Sequence, residues 1–266
     1  MGQERIHQKR LVIGDAFGQV LVACHAGGGG PGVAFELIER SDGHLGVMDA
    51  ARYFARPNDW TPTTRLARER AAGRILDIGA GAGRVALVLQ DEGYDVVALD
   101  VSQGATTVCR ERGVRATFTG SVFDLAATTP EPFDTFLMLG NNLGLLGGAK
   151  QAPRFLDALT SMARPAATII GETLDPYRTH DPDHLRYHEE NRRLGRLAGQ
   201  LRLRIRHLQL TTPWWDYLLS TPEELESIVA PTRWQLSDTY TAEAMDTGRR
   251  APWPHGQWTA VLSLRG

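Results

Sequence analysis

The chain has 266 residues, with 29 Lys and Arg against 31 Asp and Glu and a formal net charge of −2, so no whole-chain field coats a nucleic acid or clamps a membrane surface. That length suits one large domain with a substantial buried core. Cys24 and Cys109 match no metal-ligand spacing and are too few for a disulfide framework, which makes a reducing cytoplasm the expected setting. Lys9 and Arg10 followed by Leu11 to Ala26 imitate a signal peptide, but Asp15 and Gln19 interrupt the apolar run. No stretch reaches the ~18 apolar residues of a spanning helix, so no membrane partner is expected.

Ile13 to His25 read as a short helix that must stop at Gly27-Gly28-Gly29-Gly30-Pro31-Gly32, where backbone entropy and a missing donor end it. Val33 to Arg40 and His44 to Ala50 flank Ser41-Asp42-Gly43 as a hairpin. Residues 1–60 are therefore expected as an N-terminal cap, and 61–266 as the main domain. Thr61-Pro62 opens a helix through a side-chain cap with proline in its first turn.

From Arg74 the pattern becomes strand, helix, strand: Ile75 to Ile78, a helix from Gly83 to Glu92, Asp95 to Leu99, a helix from Ser102 to Arg112, and Val114 to Phe118. Phe133 to Leu139, a helix over Ala152 to Ala163, and Ala166 to Gly171 continue it, so five parallel strands are expected with helices on both faces. Residues 172–220 break the rhythm and read as a lid. Within them Leu201, Leu203 and Ile205 alternate with Arg202, Arg204 and Arg206, a strand with one face buried, and Pro213 to Leu219 pair back on it. After a capped helix from Thr221 to Val229, Trp234 to Tyr240 and Gln257 to Arg265 close the fold. The expected class is α/β: a doubly wound, Rossmann-like, seven-stranded and mostly parallel sheet with an N-terminal cap and a lid insertion.

Leu76-Asp77-Ile78-Gly79-Ala80-Gly81-Ala82-Gly83-Arg84 follows a strand and opens a helix. Glycines there let a nucleotide-type ligand approach the backbone. Gly81-Ala82-Gly83-Arg84-Val85-Ala86 fits a relaxed dinucleotide fingerprint, with Asp100 at the distance of a ribose-binding acid, so an NAD(P)-dependent oxidoreductase is one reading. Charge opposes it: a pyrophosphate on this loop would face the carboxylate of Asp77. A carboxylate suits a ligand carrying an ammonium and a sulfonium and no phosphate, which is S-adenosylmethionine.

At these residues the chain resembles the class I S-adenosylmethionine-dependent methyltransferase superfamily, over a stretch running from about Gly73 to the C-terminus. The resemblance implies that Asp77, Gly79, Ala80, Gly81 and Gly83 line the cofactor and that Asp100, followed by Val101, holds the ribose hydroxyls. It implies that Val122 or Phe123 stacks on the adenine beside Asp124, and that Leu139 and Asn141, from Leu139-Gly140-Asn141-Asn142-Leu143, pass under the methionine part. Tyr53, before the domain, resembles an aromatic residue that folds over the cofactor. Nucleic-acid amino methyltransferases carry Asn or Asp followed by Pro-Pro and an aromatic where this chain has Gly140-Asn141-Asn142-Leu143, so a DNA acceptor is not expected.

A small organic acceptor, such as a secondary metabolite, is the expected partner, with O-, N- or C-methylation left open and a homo-oligomer left open too. A non-catalytic S-adenosylmethionine-binding protein is the remaining alternative. An amine acceptor needs only to be neutral, whereas an alcohol or phenol benefits from a general base. Tyr177, His180 and His184 in the lid, with Asn141, are the expected catalytic candidates. His180, His184 and His188 lie near Asp181 and Asp183, but the spacing is not that of a metalloprotease helix and no metal site is expected.

Overall fold

A computed structural model describes residues 11–242 and 256–266. Its centre is a seven-stranded sheet. In chain order the strands are β4 (Arg74–Ile78), β5 (Asp95–Asp100), β6 (Ala116–Thr119), β7 (Phe133–Met138), β8 (Ala163–Leu174), β12 (Trp234–Thr241) and β13 (Gln257–Leu264). They lie in the order β12-β13-β8-β7-β4-β5-β6. The first five in sequence are mutually parallel, while β13 runs antiparallel to both β8 and β12. The expected five parallel strands and two closing strands are all present.

Side chains on the central strands alternate between two cores. Leu76, Ile78, Phe136, Met138 and Ile169 join Phe155 and Leu156 of α6 (Ala152–Ser161) and Ile228 of α8 (Pro222–Val229) on one face. Ile75, Leu137 and Ile170 meet Ala67 of α2 (Pro62–Arg70) and Val85 and Leu89 of α3 (Arg84–Asp91) on the other. Period-two alternation through a sheet buried on both sides produces this division. The strand order reverses at β4, so the loops after β4 and β7 part and open a crevice at the carboxyl end of the sheet, where ligands of open α/β sheets bind.

The cap and the lid were expected as separate covers; the structure joins them. A second, six-stranded sheet runs β1-β10-β9-β2-β3, with β11 also pairing antiparallel with β9. Its strands are β1 (Val12–Ile13), the hairpin β2 (Phe35–Arg40) and β3 (Leu45–Asp49), and β9 (Gln200–His207), β10 (Leu210–Thr211) and β11 (Trp215–Leu218). β2 pairs antiparallel with β9, Ile38 opposite Ile205 and Arg40 opposite Leu203. On the outer face Glu39 receives Arg204 at 2.8 and 3.0 Å and Arg206 at 3.3 Å, and Arg202 meets Asp216 at 3.3 Å. The arginine alternation therefore pairs with acids across the sheet.

α1 (Ala16–Ala26) fastens this sheet to the main domain by packing on α4 (Gln103–Glu111). Asp15 caps α1 by accepting the Gly18 N–H at 2.9 Å, and its other oxygen accepts the Ser102 hydroxyl at 3.0 Å and the Gly104 N–H at 2.8 Å. One carboxylate thus caps one helix and ties it to the first turn of another. No helix among the described residues is long and apolar enough to cross a membrane.

Candidate active site

The loop after β4 follows from its glycines. Gly79, Gly81 and Gly83 all have left-handed φ, at 70°, 57° and 73°. A side chain at Gly79 would stand 2.4 Å from Asn142 Nδ2, because Asn142 donates to the carbonyls of Ile78 and Gly79 at 3.0 and 2.9 Å. Asn142 thereby locks the glycine loop to the loop after β7, a role absent from the sequence reading. Cys109 lies beneath the same loop and donates to the Gly81 carbonyl at 3.2 Å; burial pushes its thiol up to about 12.

Two carboxylates flank the loop. Asp100, 4% exposed at the end of β5, accepts the Gly81 N–H at 3.0 Å and the Ser102 N–H at 2.9 Å. Asp77, equally buried at the end of β4, sits in the field of Asp100 and Arg84. Loss of water raises Asp77 to about 7, with Arg84 opposing the rise and Asp100 adding to it. Asp100 rises to about 6 through burial, against the pull of its two backbone donors.

A third buried acid, Glu172 on β8, holds the neighbouring elements. Its Oε1 accepts the hydroxyls of Thr63 and Thr64 at 2.7 Å each and that of Thr61 at 3.3 Å, and its Oε2 accepts the Gly140 N–H. The start of α2 and the loop after β7 are thus fixed by one side chain. A glutamate in a run of apolar strand residues was the available signal.

Aromatic rings cover the loop. A side chain at Gly81 would meet Tyr53 at 3.3 Å and Phe17 of α1 at 3.9 Å. The Tyr53 hydroxyl donates to Glu36 Oε1 at 2.8 Å. Tyr217 of β11 packs on Gly144 and donates to the Asn141 carbonyl. Asn141 has left-handed φ of 71°, and its Oδ1 is buried without a partner.

The other expected residues are distributed as follows. Ala80 and Leu139 border the core beside α3, and Val122 is buried in the core on the other face. Val101 is 73% exposed beyond β5, and Phe123 is a rim residue carrying Arg154 over its ring at 4.5 Å. Asp124 closes a capping box with Ser121 at the start of α5 (Val122–Ala127), accepting the Ser121 N–H at 2.8 Å and hydroxyl at 2.6 Å.

Tyr177, His180 and His184 are not gathered with Asn141. Tyr177 is half-exposed and donates to Glu224 at 2.7 Å. His180 is exposed, and His184, on α7 (Pro182–Arg193), meets Thr179 at 3.1 Å and the ring of His44 at 5.0 Å. Among the described residues no group of three or more His, Cys, Asp and Glu side chains is placed to hold a metal ion.

The sheet separates the two cofactor readings. A dinucleotide-binding fold continues with a sixth parallel strand, and here antiparallel β13 takes that place beside β8. Residues 75–166 match the family model described as a methyltransferase domain. Those 92 of the 266 residues carry the likeness to that family. A curated relative, the ubiquinone biosynthesis O-methyltransferase of Xanthomonas euvesicatoria pv. vesicatoria (strain 85-10), is 30% identical over 118 residues. That match covers 42% of the chain and 47% of the relative, so the chain spans about half the length of the curated relative. A solved S-adenosylmethionine-dependent methyltransferase from Bacteroides fragilis, in complex with S-adenosyl-L-homocysteine, is similar at a TM-score of 0.76 and 23% identity, covering 96% of this chain and 98% of that one. The 1,6-didemethyltoxoflavin-N1-methyltransferase of Burkholderia thailandensis is similar at a TM-score of 0.50 and 16% identity, covering 81% of each chain.

Proposed function

We propose that the protein transfers a methyl group from S-adenosylmethionine to a small organic molecule. The observation that carries this reading is the pair of buried carboxylates, Asp77 and Asp100, on either side of a loop of left-handed glycines. Anions so placed oppose a pyrophosphate and suit a cationic ligand with ribose hydroxyls. The residues fit that ligand: a loop without side chains for close approach, an acid at the end of β5, rings over Gly81, and an unpartnered carboxamide oxygen on Asn141.

In this assignment Gly79, Ala80, Gly81 and Gly83 lie along the ligand, Asp100 takes the ribose hydroxyls, and Asp77 faces the cationic end. Val101, Val122, Phe123 and Asp124 border the adenine, while Leu139, Asn141 and Tyr53 border the methionine end. The cofactor supplies an electrophilic methyl on a cationic sulfur. The protein's contribution is alignment, which can lower such a barrier by roughly 7–11 kcal/mol. Asn142 and Glu172 hold the loops at either side, and α1 with the cap sheet shields the crevice from water. Support for a small acceptor comes from the rings of Phe17, Tyr53 and Tyr217 set against the loops after β4 and β7, and from the names of the Xanthomonas and Burkholderia proteins.

Asp100→Ala removes the acceptor of two backbone N–H groups together with the proposed ribose contact. Calorimetry should show S-adenosylhomocysteine binding weakened by about tenfold or more, with circular dichroism unchanged, since a charge-assisted hydrogen bond contributes roughly 1.5–3 kcal/mol. Equal affinity in the variant would remove the assignment. A mass gain of one methylene in a metabolite extract incubated with the protein and cofactor would identify the acceptor.

A further inference from the structure

Strand register places three cap residues on the side of the sheet that meets the crevice. Glu36 shares a face of β2 with Ile38 and Arg40, which stand opposite Ile205 and Leu203 of β9; Trp215 and Tyr217 of β11 stand opposite Leu203 and Leu201. Directly opposed residues lie on one face, so Glu36, Trp215 and Tyr217 share it, and Tyr217 reaches the loop at Asn141.

Buried polar atoms nearly always have hydrogen-bond partners, and an orphan points to something that binds there. Three orphans lie at this interface: Glu36 Oε2, Asn141 Oδ1 and Trp215 Nε1. Glu36 is 1% exposed, and its one hydrogen bond comes from the Tyr53 hydroxyl. A carboxylate withdrawn from water is unfavourable unless donors or a cation answer it. Arg52 attracts Glu36 only at a distance, its guanidinium lying 5.6 Å over the Tyr53 ring.

We propose that Glu36 selects the acceptor, and that the acceptor is an amine whose N–H groups meet Glu36 Oε2, with a second donor of the same molecule at Asn141 Oδ1. The proposal rests on the methyltransferase reading above and deepens it to N-methylation. An amine arriving as ammonium compensates the buried charge, which a hydroxyl does not, and the rings of Tyr53, Tyr217 and Trp215 suit a cation. A proton then moves from nitrogen to Glu36 Oε2, leaving the lone pair on a neutral nucleophilic nitrogen and a neutral carboxylic acid. Burial, the largest influence on Glu36, favours that neutral acid and opposes the effects of Tyr53 and Arg52. The groups facing Glu36 are thus Tyr53, Tyr217 and Arg52.

The test uses matched probes, benzylamine against benzyl alcohol and glucosamine against glucose, at millimolar concentration. Binding to the protein saturated with S-adenosylhomocysteine is read by thermal shift, and methyl transfer from S-adenosylmethionine by mass. The expected result is that an amine binds or is methylated, with a preference of about tenfold or more over its alcohol partner. Glu36→Gln should lose that preference while S-adenosylhomocysteine affinity stays within about twofold, and Glu36→Asp should keep it in part. Should Glu36→Gln not fold, Tyr53→Phe, which frees Glu36 Oε1, should change the pH profile for the amine instead. Preference for alcohols, no response to any amine, or unchanged discrimination in Glu36→Gln would overturn the proposal. Failure of the wild type to bind S-adenosylhomocysteine would overturn the methyltransferase reading first and this one with it.

Discussion

Asp77 sits about three pH units above an ordinary aspartate because burial removes its water, and that has two consequences of known sign. The ammonium of the ligand is held by the ionised form, so between pH 8 and pH 6 the affinity for S-adenosylhomocysteine should fall by about tenfold, the protonation penalty of one group near 7. Titrations at the two pH values check it, and Asp77→Asn should flatten the dependence. Without ligand the sign reverses. The folded state holds a proton that the unfolded state has released, so this contribution to stability is full below about 4 and is lost as pH rises through about 7. The stability of the ligand-free protein relative to Asp77→Asn, read from melting temperatures, should therefore fall from pH 6.5 to pH 8, because every other titrating group is common to the two proteins. His184 and His188, both lowered by burial, act in the opposite sense up to about pH 7 in both proteins alike. These residues were legible because an acid before a glycine run and an acid ending the next strand carry their roles in spacing. Glu36, Glu172 and Asn142 were not, since each acts on a partner between 17 and 111 residues away or through an unfilled valence.

At the scale of elements, the alternation of short apolar runs with helical periodicity placed every strand of the central sheet, since a buried parallel strand and its crossover helix each leave a local signature. The docking of α1 left none. It depends on Gly18 and Gly104, where the two helices approach so closely that a side chain at Gly104 would stand 2.6 Å from the Gly18 backbone. Gly104→Ala must push α1 away and should destabilise the protein by roughly 1–3 kcal/mol, a typical overpacking penalty, read as a lowered urea midpoint. Because α1 carries Phe17 over Gly81, the same variant should bind S-adenosylhomocysteine more weakly. An unchanged midpoint would mean that α1 does not need this close approach. The lid histidines show the reverse difficulty. Their clustering in sequence suggested a site, yet helix α7 and its preceding turn direct His184 to His44 and Tyr177 to Glu224.

Across the whole molecule, two segments that look like separate covers form one sheet, because β2 and β9 satisfy each other's edges and their outward acids and arginines match in register. Pairing across such a separation leaves only weak traces in a single sequence, whereas each strand by itself was visible as an alternating or hairpin pattern. The assembled sheet puts Glu36, Trp215 and Tyr217 on one face, with Tyr217 reaching the loop after β7, so in the proposed assignment acceptor and cofactor meet at one crevice built from both halves of the chain. The central claim is that this crevice takes an S-adenosyl amino acid and rejects a diphosphate. Paired calorimetric titrations of the wild-type protein at pH 8, one with S-adenosylhomocysteine and one with NAD, test it most directly. Saturable binding of S-adenosylhomocysteine with no measurable heat from NAD is the predicted result; saturable NAD binding with none from S-adenosylhomocysteine would contradict it.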